Sequence, residues 1–482
     1  MFSPQRTMGQ YTTPKETVHY MTRKLLSELP TKSNMKILDP ATGDGIFIHT
    51  LLEEGLSTEN LYAFDIDRKT AAPHPDIHFY YEDFLKVDQP GKYDAIIGNP
   101  PYKSKRQSPY FSENRERIQR DFGKVGIHNL YSLFIHKGIQ CLKPGGVMTM
   151  IVQDSFLTNI YYKSFREFLL KETEIKEIVL APRRLFHKGK ADVRTAIITL
   201  KKRGMEAVPS TEMRLVDRLK EQDYDHPPEH LIQYLSQRTF EQMPANNFTI
   251  NVPEDILKHF ETPHRTLGSV LKGGTGISTG DDRFFLRSFK DGHVPPEWIP
   301  FYKNGGRKDA WYYEPKYYIH KNWPDYVERN TSFTVRNRSY FYQRGITCSS
   351  MGVDFSAALL PEGSLFGVNA NLFPEHEEDL YYFLSLLNSK LIKYMVRKVL
   401  NRTNMITSGY IKKIPYIEPA PLQKQVMIET ARSIVDKKKE DPSFQTDEWQ
   451  SLVDQTVYEI YGISSSSRSK VHDFCHDIME KI

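Results

Sequence analysis

Cysteine is scarce in this chain of 482 residues, and the few cysteines present exclude two kinds of protein. Cys141, Cys348 and Cys475 are widely spaced and odd in number. They form neither the framework of a small disulfide-stabilised protein nor the paired spacing of a zinc site. We therefore expect a reduced protein without structural disulfides or a bound metal.

Long apolar runs are also missing. No run approaches the roughly 18 residues of a membrane span, and no charged-then-apolar leader opens the chain. These absences predict a soluble, cytoplasmic protein without a membrane partner. The length allows two or three domains. The net charge of +5 tolerates a polyanionic partner without establishing one.

The two common phosphate-binding patterns are absent as well. The glycine-rich segment DPATGDG at residues 39–45 has neither the GxGxxG spacing of a dinucleotide site nor the Gly-Lys-Ser/Thr of a triphosphate site. An acid precedes its glycines, and a negative charge at that position suits a cationic ligand better than a phosphate.

What the first half does contain is an alternation of apolar strand-like runs and amphipathic stretches. The predicted strands are 35–40, 60–67, 76–84, 93–102, 146–153, 175–182 and 193–202. Repeated β-α units of this kind predict an α/β fold with a parallel sheet and helices on both faces. Ligands of such sheets bind beyond the carboxyl ends of the strands.

Four polar side chains come at those strand ends, namely Asp39, Asp65, Asp83 and Asn99. Asp65 is placed to accept hydrogen bonds from two ribose hydroxyls. Asp83 can pair with the exocyclic amine of a base, which Phe84 would cover. A ribose, an adenine and a cationic amino acid together describe S-adenosylmethionine, which we predict as the cofactor.

The order of the motifs resembles that of a known family. GQYTTP at residues 9–14, the glycine loop and NPPY at residues 99–102 follow one another as in the gamma-class N6-adenine DNA methyltransferases, the TaqI-like group. The resemblance implies a Rossmann-like class I methyltransferase sheet, followed by a mixed α+β target-recognition domain. It also implies cofactor contacts from Tyr11, Thr13, Asp39, Ala41, Gly43, Asp65, Ile66, Asp83, Phe84 and Asn99, with Thr13 at the methionine part. Asp44 departs from the small residues common there.

The NPPY segment suits methylation of a planar amino group. The lone pair of such a nitrogen is delocalised, so two hydrogen-bond acceptors must draw the N–H groups toward tetrahedral geometry. The side-chain oxygen of Asn99 and the carbonyl oxygen of Pro100 are the predicted acceptors. Pro100 and Pro101 lack N–H groups and restrict the backbone before them. Asparagine cannot act as a base at neutral pH, so the proton is expected to leave to water.

A base inside a duplex is out of reach, so the target adenine must be flipped out, and aromatic faces usually hold it. Tyr102 is predicted to supply one face. The resemblance assigns the second face to Phe186, in the loop before the last strand of the sheet. Lys188 in the same loop is a predicted phosphate contact.

The second half of the chain carries the predicted DNA contacts. Arg283 lies in the turn-rich segment 271–286, which is similar to the glycine-threonine-glycine stretch that opens the family's recognition domain. Residues 386–416 are rich in lysine and arginine, with a helical period that predicts a basic face. Arg397 lies on that helix, and Arg402 and Asn404 lie in the polar loop that follows.

We therefore expect three parts: a catalytic domain at residues 1–240, a target-recognition domain at 245–420 and a helical extension at 421–482. The predicted enzyme is a monomeric, site-specific adenine methyltransferase acting on double-stranded DNA, with a cognate restriction endonuclease as a separate partner. The NPPY chemistry leaves open an RNA or protein-glutamine N-methyltransferase, and a combined methylase-nuclease. Methylation at cytosine C5 is disfavoured because no cysteine follows a proline.

Overall fold

The computed structural model describes residues 12–30, 34–183, 185–186, 193–204, 212–261, 265–289, 293–305, 310–352, 354–403 and 405–478. The chain divides into two compact units, Met1–Asn251 and Val252–Ile482. The described residues of the predicted extension, 421–478, contain three helices and fall within the second unit. In the described part of the chain, no helix is both long and apolar enough to cross a membrane.

The first unit is built on one sheet. Its strands are β1 Ile37–Asp39, β2 Leu61–Phe64, β3 His78–Tyr80, β4 Tyr93–Gly98, β5 Leu142–Gln153, β6 Thr173–Leu180, β7 Thr195–Lys202, β8 Glu212–Val216 and β9 Ile232–Ser236. Its α-helices within the described residues are α1 Lys15–Ser27, α2 Ile46–Glu53, α3 Tyr110–Glu113, α4 Arg115–Phe122, α5 Leu130–Cys141, α6 Lys163–Glu172 and α7 Gln237–Gln242.

The strand order is β3-β2-β1-β4-β5-β7-β6-β8-β9. β1 pairs in parallel with β2 and β4, β2 with β3 and β4 with β5, whereas β7 runs antiparallel to both of its neighbours. Ile37, Leu38, Ile96 and Ile97 in the centre of the sheet are fully buried, as expected for parallel strands with both faces covered. The predicted fold class is confirmed, and parallel pairing brings the ends of β1 to β4 to one edge.

The structure differs from the prediction after β7. The sequence predicts no strand of this sheet beyond residue 202, yet β8 extends the sheet by pairing in parallel with β6, and β9 pairs antiparallel with β8. β8 has only five residues. Its strand character comes from neighbours far along the chain, because strand propensity depends strongly on tertiary context.

The second unit is a mixed α+β structure. Its strands are β10 Leu271–Gly274, β11 Ile277–Ser278, β12 Leu286–Arg287, β13 Trp298–Tyr302, β14 Tyr317–His320, β15 Thr334–Val335, β16 Gly345–Cys348, β17 Ala357–Leu360, β18 Leu365–Phe366 and β19 Ala370–Pro374. Its described α-helices are α8 Glu254–Glu261, α9 Leu267–Val270, α10 Asp282–Phe285, α11 Pro324–Arg329, α12 Leu380–Asn388, α13 Lys390–Tyr394, α14 Ser408–Ile411, α15 Pro421–Glu440, α16 Asp447–Ile460 and α17 Ser465–His476.

Two small sheets, β10-β19-β16-β17 and β12-β14-β13-β18, together with the β11-β15 pair, carry the strands of the second unit. Aromatic residues form much of one core, including Phe301, Trp323, Phe341 and Phe366, each no more than 6% exposed. A π-helical segment, Met395–Leu400, continues α13.

Candidate active site

Asp39 is the first acid at the carboxyl edge of the sheet, and its side chain is fully buried at the end of β1. Oδ1 accepts a hydrogen bond from the Ala41 N–H at 3.2 Å, whereas Oδ2 has no partner among the residues the structure describes. Burial, together with the negative charges of Asp65 and Asp44, raises the pKa of this carboxyl to about 7. A buried carboxylate oxygen without a partner is costly, so this site favours a donor or a cation.

The glycine loop is tied to the neighbouring strand by Asp65, which follows β2 directly. Asp65 Oδ2 accepts the Gly43 N–H at 2.9 Å, and its Oδ1 accepts the Asp67 N–H at 2.8 Å. Gly43 has a φ of +54°, and the position where its Cβ would lie has no atom within 4 Å. A left-handed residue facing open space lets a ligand approach the loop closely.

Ile66, beside Asp65, is 60% exposed although it is a large apolar side chain. Asp65 itself is 5% exposed. A carboxylate has about four lone-pair positions, so the two backbone hydrogen bonds leave Asp65 with capacity for hydroxyl donors. An exposed apolar face next to that acid suits the flat face of a base.

Asp83 is the third acid at this edge. Its Oδ1 accepts the Leu85 N–H at 3.0 Å, and its Oδ2 accepts the Tyr110 hydroxyl at 2.8 Å. The adjacent Phe84 is 2% exposed, and its ring lies 5.8 Å from Phe64 between centroids. Phe84 therefore packs in the core, and its contact with a base stays a prediction.

Asn99 follows β4, and its side-chain amide is held by a residue far away in the sequence. The Nδ2 group donates to the Oγ1 of Thr13 at 3.0 Å. A Cβ added to Gly98 would lie 2.9 Å from Asp39 Oδ1. The end of β4 therefore approaches Asp39 so closely that a side chain larger than that of glycine at residue 98 would collide with the first acid.

Tyr102 and Phe186 are brought together as the sequence predicted. Their ring centroids are 6.2 Å apart at an interplanar angle of 62°, and the two side chains are 6% and 4% exposed. The Tyr102 hydroxyl donates to the Ile151 carbonyl at 2.9 Å. This pair lies edge to face rather than as two parallel plates, so stacking of a flipped base on both rings stays a prediction that requires Phe186 to move.

The prediction of an exposed basic helix face was wrong. Arg397 is fully buried and Arg402 is 2% exposed, and Arg397 Nη1 donates to the Thr403 carbonyl at 2.7 Å. The neighbouring Met395, Val396, Val399 and Leu400 are buried as well, so the whole segment Met395–Leu400 lies in the interior and takes its arginine with it. Arg397 and Arg402 are therefore not placed to contact phosphates.

Of the other predicted DNA contacts, Arg283 is exposed on α10. Lys188 and Asn404 lie outside the described residues, as does Tyr11 of the predicted cofactor set. Pro100 is buried and Pro101 half-buried next to Asn99.

Sequence reasoning missed two partners of the predicted site. It assigned Thr13 to the cofactor and not to Asn99, and it passed over Tyr110, which bonds Asp83. Thr13 and Asn99 are 86 residues apart and Tyr110 and Asp83 are 27 apart. A lone threonine or tyrosine gives no spacing pattern, so only the folded chain reveals these pairs.

The part of the chain that contains most of these site residues is also the part that matches a known protein family. Residues 45–186 match the family model described as the Eco57I restriction-modification methylase, a range that includes Asp65, Asp83, Asn99 and Phe186. The Type II methyltransferase M.HincII of Haemophilus influenzae is 29% identical over 181 residues, covering 37% of this chain and 34% of the relative.

The adenine-specific methyltransferase PglX of Lacticaseibacillus casei (strain Zhang) is 23% identical over 384 residues, covering 73% of this chain and 31% of the relative. The chain thus spans about a third of the length of these curated relatives. The Type IIL restriction-modification enzyme MmeI, solved in complex with DNA, has a similar fold, with a TM-score of 0.62 at 12% identity over 97% of this chain and 75% of that one.

Proposed function

We propose that this chain, in which residues 45–186 form an Eco57I-type restriction-modification methylase domain, methylates the N6 amino group of an adenine flipped out of duplex DNA, with S-adenosylmethionine as cofactor. The observation that carries the proposal is the placement of Asn99. Its amide is hydrogen-bonded to Thr13 directly beyond β4, whose last residue, Gly98, lies against the buried Asp39.

The described residues fit the cofactor. Asp39 Oδ2 is buried without a hydrogen bond of normal geometry in the described part of the chain, although the Thr42 hydroxyl lies near enough to lower the pKa of the carboxyl; such a group suits a cationic amino acid moiety. Asp65 would hold the ribose hydroxyls, Ile66 would face the adenine ring, and Asp83 would accept from its amino group. When bound, S-adenosylmethionine supplies an electrophilic methyl group on a sulfonium.

Asn99 and Pro100 provide the electrostatic part of the mechanism. The Asn99 Oδ1 and the Pro100 carbonyl oxygen would accept the two N–H groups of the target amine and stabilise the positive charge that develops on its nitrogen. Thr13 holds the opposite end of the Asn99 amide, which sets the direction of Oδ1. No base is required of the asparagine, because the proton leaves to water once the nitrogen is positive.

The substrate and the cellular setting belong to the same proposal. Support for DNA comes from the relatives, which are named as Type II and adenine-specific methyltransferases, and from the exposed Arg283. We propose a monomeric enzyme that works in the cytoplasm, where its DNA substrate lies. A cognate restriction endonuclease would act as a separate protein.

The test is transfer of a labelled methyl group to duplex DNA by the wild-type chain and by Asn99→Ala. We expect the variant to lose methylation by at least about 100-fold, the scale of removing one preorganised acceptor, and to bind S-adenosylhomocysteine with an affinity near that of the wild type. Gln140→Ala, which removes an exposed amide at the end of α5, should change neither quantity.

Modification-sensitive sequencing of DNA from cells expressing each chain would identify the modified atom and its surrounding bases. Normal DNA methylation by Asn99→Ala would contradict the proposal. So would methylation of ribosomal RNA or of a protein by a wild-type chain that leaves duplex DNA unmodified.

A further inference from the structure

Two residues that follow the NPPY segment, Tyr110 and Arg117, form a chain of hydrogen bonds to Asp83, the third acid at the edge of the sheet. The Tyr110 hydroxyl donates to Asp83 Oδ2 at 2.8 Å, and Arg117 Nη2 donates to the Tyr110 oxygen at 2.7 Å. Tyr110 begins α3 and Arg117 lies on α4, whereas Asp83 follows β3.

The contacts close into a ring. Arg117 Nη1 donates to the Leu85 carbonyl at 2.7 Å, and the Leu85 N–H donates to Asp83 Oδ1 at 3.0 Å. Each oxygen of the Asp83 carboxylate is thus fixed by a donor, and the guanidinium charge lies one hydroxyl away. Lys86 adds a second cation, with its Nζ 3.7 Å from Asp83 Oδ2.

The ring keeps Asp83 an acceptor. Burial and the Asp83 charge raise the pKa of the Tyr110 hydroxyl above its ordinary value, so it keeps its proton and donates. A carboxylate that receives two hydrogen bonds still has lone pairs for a third partner. The Asp83 side chain is 12% exposed, so part of the carboxylate is accessible to a ligand although both of its oxygens are hydrogen-bonded.

We propose that Tyr110 and Arg117 are positioning residues that hold the Asp83 carboxylate in place for the amino group of the cofactor's adenine, and so set the preference of the site for a 6-aminopurine. This inference rests on the proposed function. It also means that the segment beyond the catalytic asparagine builds part of the cofactor site. The alternative is a purely structural role, in which Tyr110 and Arg117 only support α3 and α4. The experiment must distinguish these two roles.

The experiment is calorimetric titration of the full chain with S-adenosylhomocysteine and with an analogue that has hydrogen in place of the 6-amino group. For the wild type we expect tighter binding of S-adenosylhomocysteine. Tyr110→Phe removes the donor and keeps the ring. It should weaken S-adenosylhomocysteine about tenfold, the scale of losing one hydrogen bond to a charged group, and leave the deamino analogue within about twofold.

Arg117→Gln is the second variant, since it keeps a donor for the Leu85 carbonyl but removes the charge, and it should show the same selective loss. Tyr161→Phe, at a tyrosine that is 69% exposed, should bind both ligands as the wild type does. Thermal unfolding without ligand checks that each variant folds.

Equal weakening of both ligands in the two ring variants, or no weakening of either, would overturn the inference. A wild-type chain that binds the two ligands equally well would also overturn it, and the proposed function would survive. A wild-type chain that binds neither ligand would remove the proposed function and this inference with it.

Discussion

Replacing Thr13 by valine would remove one hydroxyl and keep almost the same shape. Thr13 is 2% exposed, and its Oγ1 accepts from Asn99 Nδ2 at 3.0 Å. In Thr13→Val the amide of Asn99 loses its hydrogen bond to the Thr13 hydroxyl, while the packing around residue 13 is kept. The chemistry at Asn99 should therefore suffer more than the fold.

The magnitude follows from the hydrogen bond that is lost. A hydrogen bond contributes about 0.5–1.5 kcal/mol net, and removing one partner from a polar group shielded from water costs about 1–3 kcal/mol. If this cost falls on the oriented, reactive state of Asn99, kcat should fall by roughly ten- to a hundredfold, since each 1.4 kcal/mol is a factor of ten. The affinity for S-adenosylhomocysteine should change by less than about threefold, because this contact is made to the asparagine and not to the ligand.

Single-turnover methylation of duplex DNA measures the chemical step, and calorimetry measures ligand binding. Thr13→Ser keeps the hydroxyl and is the matched control, with kcat near that of the wild type. The sequence alone assigned Thr13 to the methionine part of the cofactor, and the same two measurements separate these roles. A variant that binds ligand poorly but methylates at a normal rate when saturated would refute the reasoning from Asn99.

Two further predictions concern buried charge. Asp39 has a pKa near 7 in the folded chain and an ordinary value of 3.8, so the folded state holds its proton to a higher pH than the unfolded state. The free energy of unfolding of the ligand-free chain should therefore fall as pH rises from about 4 to 7. The affinity for S-adenosylhomocysteine should rise over about pH 5.5–7.5, as the carboxylate forms to meet the ligand's cation. Asp39→Asn should flatten both profiles and the exposed Asp76→Asn should flatten neither, as denaturant titration and calorimetry would reveal; a wild-type affinity independent of pH would contradict this account. Arg397→Ala should lower the free energy of unfolding by at least about 2 kcal/mol, since it empties a fully buried site. Arg283→Ala, at the surface, should instead leave stability nearly unchanged and reduce the salt dependence of duplex binding. If Arg397→Ala instead left stability unchanged and reduced the salt dependence of duplex binding, Arg397 would again be a predicted DNA contact.

The edge of the sheet could be predicted because its information is local. Short apolar runs that end in Asp39, Asp65 and Asn99 identify strands and their carboxyl ends, and parallel pairing then brings these ends together. Neither step needs any knowledge of contacts between distant residues. β8 is different, because this five-residue segment becomes a strand by pairing with β6 and β9.

Arg397 illustrates the same limit, because its burial depends on contacts that the local sequence pattern does not show. Basic residues with a helical period are typical of a solvated face, and the sequence offered no reason to prefer burial. Burial depends on what covers the helix, and here every residue of the π-helical segment, including Lys398, is buried. The Thr13–Asn99 and Tyr110–Asp83 contacts are equally non-local. What the sequence could not supply was the set of partners that hold each predicted side chain.

The three acids at the edge illustrate how one residue type acquires three roles. Asp39 is buried with one oxygen unpartnered among the described residues, so it favours a cation. Asp65 fixes the glycine loop through the Gly43 N–H, so loop position and hydroxyl binding depend on the same carboxylate. Asp83 is held by a hydroxyl and a backbone amide, so it presents a rigid acceptor. A ligand with a cation at one end, hydroxyls in the middle and an amino group at the other end matches this order, and a ligand with a phosphate at any of the three positions does not.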